Sequence, residues 1–245
     1  MRALRILLIV VVILGGLFVA ADRLAVHFAE GEVADRLKAR ENLATTPDVS
    51  IEGFPFLTQV VGRKLDDVEV GIGSYQATAG TGGRRIRIDD LHASMKGVSF
   101  SGDYGSATAA TATGSATVSY AELLRAVKPQ ETEIMPNVTA QVTGLSYGGG
   151  GKVKVTVKVT APQVTVPPVA VLGSVTVVDG DTVRIKADRL PDVGLLRLAA
   201  NRVRAVTDFQ QKIDGLPGGI RLQKVQAAKD GVDIAVTGSD VRLAG

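Results

Sequence analysis

Residues 152–160 read Lys-Val-Lys-Val-Thr-Val-Lys-Val-Thr, a strict alternation that puts Val153, Val155, Val157 and Val159 on one side of an extended strand. Lys154, Thr156 and Lys158 fall on the other side. A helix would scatter these residues around its axis, so the segment commits the chain to a sheet with one wet face and one dry face. Gly148 to Gly151 precede it and read as the turn of a hairpin whose first arm is Asn137 to Ser146.

The same signals recur along the chain. Asp179-Gly180-Asp181 separates Val175–Val178 from Thr182–Ala187, and Lys229-Asp230-Gly231 separates Gln223–Ala228 from Val232–Thr237, so both read as hairpins. Further strands are expected over Val49–Glu52, Asp67–Ile72, Arg85–Phe100 with an interruption at Gly97, and Ser106–Val118, where Ala and Thr nearly alternate. Gly80-Thr81-Gly82-Gly83 and Ser101-Gly102-Asp103 supply turns between them. Aromatic residues make up only 4% of the chain and Trp is absent, which leaves aliphatic side chains to line whatever interior forms.

Three helices accompany the strands. A basic start at Arg2 and Arg5 leads into an apolar run from Ile6 to Ala21, the pattern of a signal peptide or a signal anchor over residues 1–21. Leu4 to Ala21, about 18 residues, is just long enough to cross a bilayer as a helix. Val19-Ala20-Ala21 offers small residues for cleavage, and the helical sequence beyond equally suits an uncleaved anchor. From Asp22 to Arg40 the pattern turns amphipathic, with Val26, Ala29, Val33 and Leu37 at helical spacing. Ser119 starts a short helix through Val127 with Glu122 at capping-box distance, and Pro129 closes it. A long helix over Val193–Ile213, striped by Leu195, Leu198, Arg202, Val206, Phe209 and Ile213, ends at Gly215-Leu216-Pro217-Gly218-Gly219. The expected class is α+β, with helices packed on a curved antiparallel sheet, and no composition break divides residues 22–245 into separate domains.

Charge and cysteine narrow the function. Setting aside Arg2 and Arg5 reduces the 28 Lys+Arg to 26 against 25 Asp+Glu, and no basic block is interleaved with aromatics, so nucleic acid is excluded as a partner. Without Cys there are neither disulfides nor a site for lipoprotein acylation. Gly144-Leu145-Ser146-Tyr147-Gly148 has the G-x-S-x-G pattern of a hydrolase, but four glycines and a strand follow where a helix is needed, and His27 and His92 both precede Ser146. A turn is the better reading of that segment. Gly148–Gly151 with Lys152 lacks the Ser or Thr and the helix of a phosphate loop. The two His residues are not in metal-ligating spacing, so no metal is expected. The acidic pairs Asp66-Asp67, Asp89-Asp90 and Asp179 with Asp181 sit at turns and strand ends, where Asp is favoured for its backbone hydrogen bonds.

What remains is apolar surface, and Phe54-Pro55-Phe56 marks it. Proline fixes one φ and turns two rings in set directions, which either staples a core or builds an apolar mouth. The segment Val49-Ser50-Ile51-Glu52-Gly53-Phe54-Pro55-Phe56-Leu57, its sequel Gly62-Arg63-Lys64-Leu65-Asp66-Asp67-Val68, Gly215-Leu216-Pro217-Gly218-Gly219-Ile220 and the closing Asp230-Gly231-Val232 resemble the LmeA-like phospholipid-binding proteins of actinobacteria. The resemblance covers nearly the whole chain. It implies an exported envelope protein with a fold similar to the tubular lipid-binding domains of bactericidal permeability-increasing protein: a long, strongly bent antiparallel sheet wrapped on a long helix. It also implies binding of phospholipids, and support of lipoglycan elongation in some members.

On this reading the chain is a non-enzymatic protein that binds, or also transfers, phospholipid, needing no cofactor, held at or released from the outer face of the cytoplasmic membrane. Acyl chains would contact Phe54, Pro55, Phe56, Leu57, Val60, Leu123, Leu124, Leu198 and Phe209, and the lipid phosphate would meet Arg63, Lys64, Arg84 and Arg85. The same pattern admits a membrane-anchored scaffold with a solid core. A more distant alternative is an enzyme or accessory factor in lipid-linked glycan synthesis, with Asp179 and Asp181 as its best candidates.

Overall fold

The computed structural model describes residues 2–79, 84–103, 105–127, 131–162, 164–189, 208–212 and 219–244. One helix, α1 (Arg2–Glu41), carries both the apolar run and the amphipathic segment without a break. Strand β1 (Asp48–Glu52), the short helix α2 (Phe56–Val61), and strands β2 (Lys64–Ala79), β3 (Arg84–Phe100) and β4 (Ala107–Ser119) follow, then α3 (Tyr120–Val127). The remainder is strands: β5 (Thr132–Met135), β6 (Val138–Gly149), β7 (Lys152–Ala161), β8 (Val164–Thr165), β9 (Val169–Val178), β10 (Thr182–Arg189), β11 (Phe209–Lys212), β12 (Ile220–Ala227) and β13 (Gly231–Ala244).

The strands form two antiparallel sheets where the sequence suggested one. The first has the order β1-β2-β3-β4-β13-β12 and is curled; the second runs β11-β10-β9-β7-β6-β5, with β8 beside β7. Among the described residues no long helix is wrapped by either sheet, so the wrapped-helix arrangement is replaced by a mostly-β architecture preceded by α1. Most of the expected helix at Val193–Ile213 lies outside the described residues, and its C-terminal part is corrected: Phe209–Lys212 pairs with Thr182–Ile185 as β11. Four backbone groups laid on the open edge of β10 gain ladder hydrogen bonds there, which outweighs a helical side-chain period.

The second sheet has a closed core. Val153, Val155, Val157 and Val159 are buried with Ala140, Ile134, Tyr120 and, from the first sheet, Val225, Ala227 and Val232. The Val/Lys alternation therefore marks the dry face that joins the two sheets. On its wet face Lys152 reaches Asp188 at 2.7 Å and Ser174 donates to the same carboxylate at 2.6 Å, and these two contacts hold Asp188 below the usual carboxylate range. Ser119 caps α3 as expected, its hydroxyl accepting the Glu122 amide at 3.3 Å. Glu122 does not reach back to complete a capping box; it pairs with Arg125.

The curl of the first sheet has a local origin. Asp66 on β2, Gly97 on β3, Ala110 on β4 and Asp240 on β13 stand in one line across the ladder and break the alternation of every strand they sit on. Gly97 and Asp240 take positive φ, 60° and 51°. A left-handed residue inside a strand bends it and shifts which side chains face inward. The interruption foreseen at Gly97 is thus a bend within one continuous strand. A Cβ on Gly97 would stand 3.1 Å from that of Ala110 in a conformation L residues avoid, so Gly97→Ala is expected to cost about 1–2 kcal/mol, measured by urea unfolding.

Candidate functional site

Register in the first sheet sorts residues by row. Val49, Val70, Ala93, Gly114, Val236 and Leu222 pair in sequence across all six strands, and not one of them is polar. The row Ile51, Val68, Met95, Ala112, Gly238 and Ile220 is equally apolar. Between them, on the opposite face, runs Ser50, Glu69, Ser94, Thr113, Thr237 and Arg221. Alternation on six strands in matching register thus yields an aliphatic face and, opposite it, a mainly polar one.

The aliphatic face is incompletely covered. Val68, Val70, Leu91, Ala93, Met95, Gly114, Ala116, Ile234 and Val236 are only half-buried, whereas the facing valines of β7 are closed off completely. Along β4 the face is low, because Ala112, Gly114 and Ala116 have little or no side chain, while Leu91 and Met95 rise on one flank and Ile234 and Val236 on the other. The Ala/Thr strand seen in the sequence is explained by this division: Ala and Gly form an aliphatic floor, and Thr111, Thr113 and Thr117 form the wet side.

A trough of about 710 Å³ in this sheet is lined by Ser50, Glu69, Ser94 and Thr113 of the polar row and by Val70, Ala93, Gly114 and Val236 of the apolar one, with Asp48 and His92 among its other walls. A second, of about 380 Å³, shares Asp90, His92 and Ser115 with it. Both are walled by polar and apolar groups alike, where the sequence led one to expect an aliphatic space. Among the described residues no three His, Asp or Glu side chains gather where a metal ion could be held. Ser146 stands mid-strand opposite Lys154 on β6, so the segment read as a turn is extended and the hydrolase elbow is absent there. Asp179, at φ 55°, and Asp181 flank the β9–β10 turn.

The Phe-Pro-Phe segment divides between the two roles open to it. Phe56 is buried with Val26, Ile51, Leu65, Val98 and Ala109, stapling α1 and α2 to the sheet. Phe54 is 57% exposed, and the Arg23 guanidinium lies 5.3 Å from its ring centre. Pro55 is half-buried between them. The sharp corner is possible because Gly53 sits at φ 104°, where a Cβ would meet the Gln59 side chain at 2.5 Å.

Sequence reasoning missed the residue that anchors this corner. Asp22 is fully buried, accepts the Leu57 amide at 2.9 Å and pairs with Arg23 at 2.7 Å, so it satisfies the first turn of α2 from another helix. Its signal was available: it is the first charged residue after the apolar run. At the other end of α1, Glu41 accepts from the Tyr75 hydroxyl at 3.3 Å; burial first, and then that carboxylate, push the Tyr75 phenol up.

The remaining expected site residues are scattered. Leu57 and Val60 pack on the Phe56 cluster, Leu123 packs on the closed core of the second sheet, and Leu124 is half-buried nearby on α3. Leu198 lies outside the described residues; Phe209 is described only as backbone of β11. Arg63 and Lys64 are exposed at the start of β2, whereas Arg84 and Arg85 begin β3 opposite Ala79 and Thr78. The two basic pairs are thus roughly 50 Å apart along the hairpin, taking about 3.3 Å per residue, and no single phosphate reaches both.

A family model described as LmeA-like phospholipid-binding matches residues 20–237. The match begins just before Asp22, takes in both sheets and leaves out nearly all of the apolar run. No curated protein and no solved structure matches the chain.

Proposed function

The chain belongs to the LmeA-like phospholipid-binding family, and on that premise we propose that it holds phospholipid, without chemical turnover, at the outer face of the cytoplasmic membrane. The acyl chains lie on the half-covered aliphatic face of the first sheet, along the low floor of β4. The observation that carries this reading is the pair of adjacent six-strand apolar rows, of which Val68, Val70, Ala93, Met95, Gly114 and Val236 stay only half-buried. A face of that composition left to water is costly, and each methylene laid on it gains about 0.8 kcal/mol, so a lipid tail is held without a strong polar contact. The closed core of the second sheet supports a division in which that sheet is the support and the first sheet the binding surface.

Placement at the membrane is supported by α1, whose apolar segment is long enough to cross a bilayer. Arg63 and Lys64, near the Phe54 corner, are the cations assigned to the lipid phosphate in this reading. The test is native mass spectrometry of the full-length chain, delipidated in detergent and then mixed with anionic phospholipid vesicles. Mass increments equal to whole phospholipids are expected. A spectrum holding only the bare chain would sink the proposal.

A further inference from the structure

The hydrogen bonds of α1 fix which end of the domain faces the apolar segment. Lys38 donates to Thr46 at 3.0 Å and Glu41 meets Tyr75, so the chain leaves the top of α1 there and turns back. On the way down, the Ile51 amide donates to Glu30 at 2.9 Å and the Leu57 amide to Asp22 at 2.9 Å. At 1.5 Å per residue, Glu30 is about 12 Å above Asp22 and Glu41 about 28 Å above it. The segment from Gly53 to Lys64 is therefore level with the point where the apolar run ends.

That run, Leu4 to Ala21, is about 27 Å long as a helix, close to the hydrocarbon thickness of a bilayer. With its helix spanning, Asp22 and Arg23 come to the headgroup layer, and so does everything clamped to them. At this level the domain exposes large apolar side chains where a soluble surface would be expected to be polar: Phe54 at 57%, Val61 at 83% and, on the outer side of α1, Leu24 at 61% and Phe28 at 74%. Exposed basic residues Arg23, Arg63 and Lys64 sit among them; the acidic ones here are Asp22, buried and paired with Arg23, Glu52, which accepts from Ser50, Asp66 at the start of β2 and Asp103, which is engaged with Ser101 and Gly105 in its own turn. Exposed apolar groups with long basic side chains among them, at the exit point of a spanning helix, match an anionic bilayer interface.

We propose that the Gly53–Lys64 corner is a bilayer-seating surface, with Phe54 and Val61 entering the interfacial layer beside α1 while Arg23, Arg63 and Lys64 meet lipid phosphates. The seat rests on the reading of α1 as a membrane segment and orients the domain, placing the α2 end of the first sheet next to the lipid it takes up. Val61 points away from the packed side of α2, so it reports on the bilayer rather than on a captured lipid.

The chain has no Trp, which makes a direct test possible. Full-length Phe54→Trp, Val61→Trp and Gln76→Trp chains are reconstituted into phosphatidylglycerol-containing vesicles made with or without lipids brominated on the acyl chain. Gln76 is exposed at the far end of β2, near the level of Glu41, and serves as the control. Emission from positions 54 and 61 is expected to fall by about half in brominated vesicles, as for interfacial indoles, while position 76 is unaffected. Quenching at position 61 no greater than at position 76 overturns the seat. Quenching at position 54 alone, reproduced in detergent with one brominated lipid per protein, overturns it as well, because that result is lipid capture without seating. Capture itself is read separately by the mass increments, so the two ideas fail independently.

Discussion

The Ala93→Glu chain is expected to capture at least about tenfold less phospholipid than the unaltered chain, because acyl chains lying over this position would have to bury a carboxylate without a partner. Ala93 sits at the middle of the apolar row, between Val70 and Gly114, and is itself only half-buried. A longer polar side chain at that position extends over the face instead of into a closed core, so the melting temperature should change little. Thr113→Glu is the matched control. It adds the same charge one strand away, on the polar face opposite Ser94, and should leave lipid capture intact. Equal capture by the two variants, read by native mass spectrometry at matched vesicle concentration, would remove the aliphatic face from the site. Loss of capture in both would point instead to a charge effect on membrane approach.

Asp22→Ala is expected to free α2 from α1. It takes away the acceptor of the Leu57 amide and the partner of Arg23 in one step, and the position of the carboxylate itself is closed to water. A fall in melting temperature of roughly 5 °C is expected, together with new proteolytic cleavage within Gly53–Arg63. Asp22→Asn retains an oxygen for the Leu57 amide but loses the charge, so it should fall between the two. If Asp22→Ala matches the unaltered chain in both melting and cleavage, the buried carboxylate is not what holds the corner. The bilayer seat depends on this clamp, so the alanine chain should also lose the quenching difference between positions 61 and 76.

Much of the architecture was legible beforehand. The hairpins around Gly148–Gly151, Asp179–Asp181 and Lys229–Gly231 form as expected, because turn residues flanked by alternating strands leave few other pairings. The cap at Ser119 and the helical continuation from the apolar run through Arg40 are likewise local properties. The helix α2 went unread, since six residues cannot show a period and its stability comes from Asp22, some 35 residues earlier in the chain. Strand β11 was hidden for the same kind of reason: Phe209–Lys212 reads as helix by its spacing and becomes strand by pairing with β10.

The candidate site was less legible than the fold. The Phe-Pro-Phe segment stands out in the sequence, but a sequence position cannot reveal that one ring faces the core and the other faces outward under Arg23. The four basic residues assigned to one phosphate split into two pairs at opposite ends of the β2–β3 hairpin, a separation set by strand length rather than by any local signal. Ala93, Gly114 and Ala116 drew no attention as individual residues because small side chains carry no chemistry of their own.

By itself the sequence determined that this chain makes one-faced antiparallel sheets behind a membrane-length apolar helix, and it carried the family's motifs, because alternation, turn residues and apolar length act within a few neighbouring residues. Only the tertiary structure decided that two sheets form, that Asp22 ties the corner to α1, and that the apolar residues of six strands fall into shared rows. Register between strands is a long-range property: it depends on which segments meet and on the bend at Asp66, Gly97, Ala110 and Asp240, and no single segment contains it.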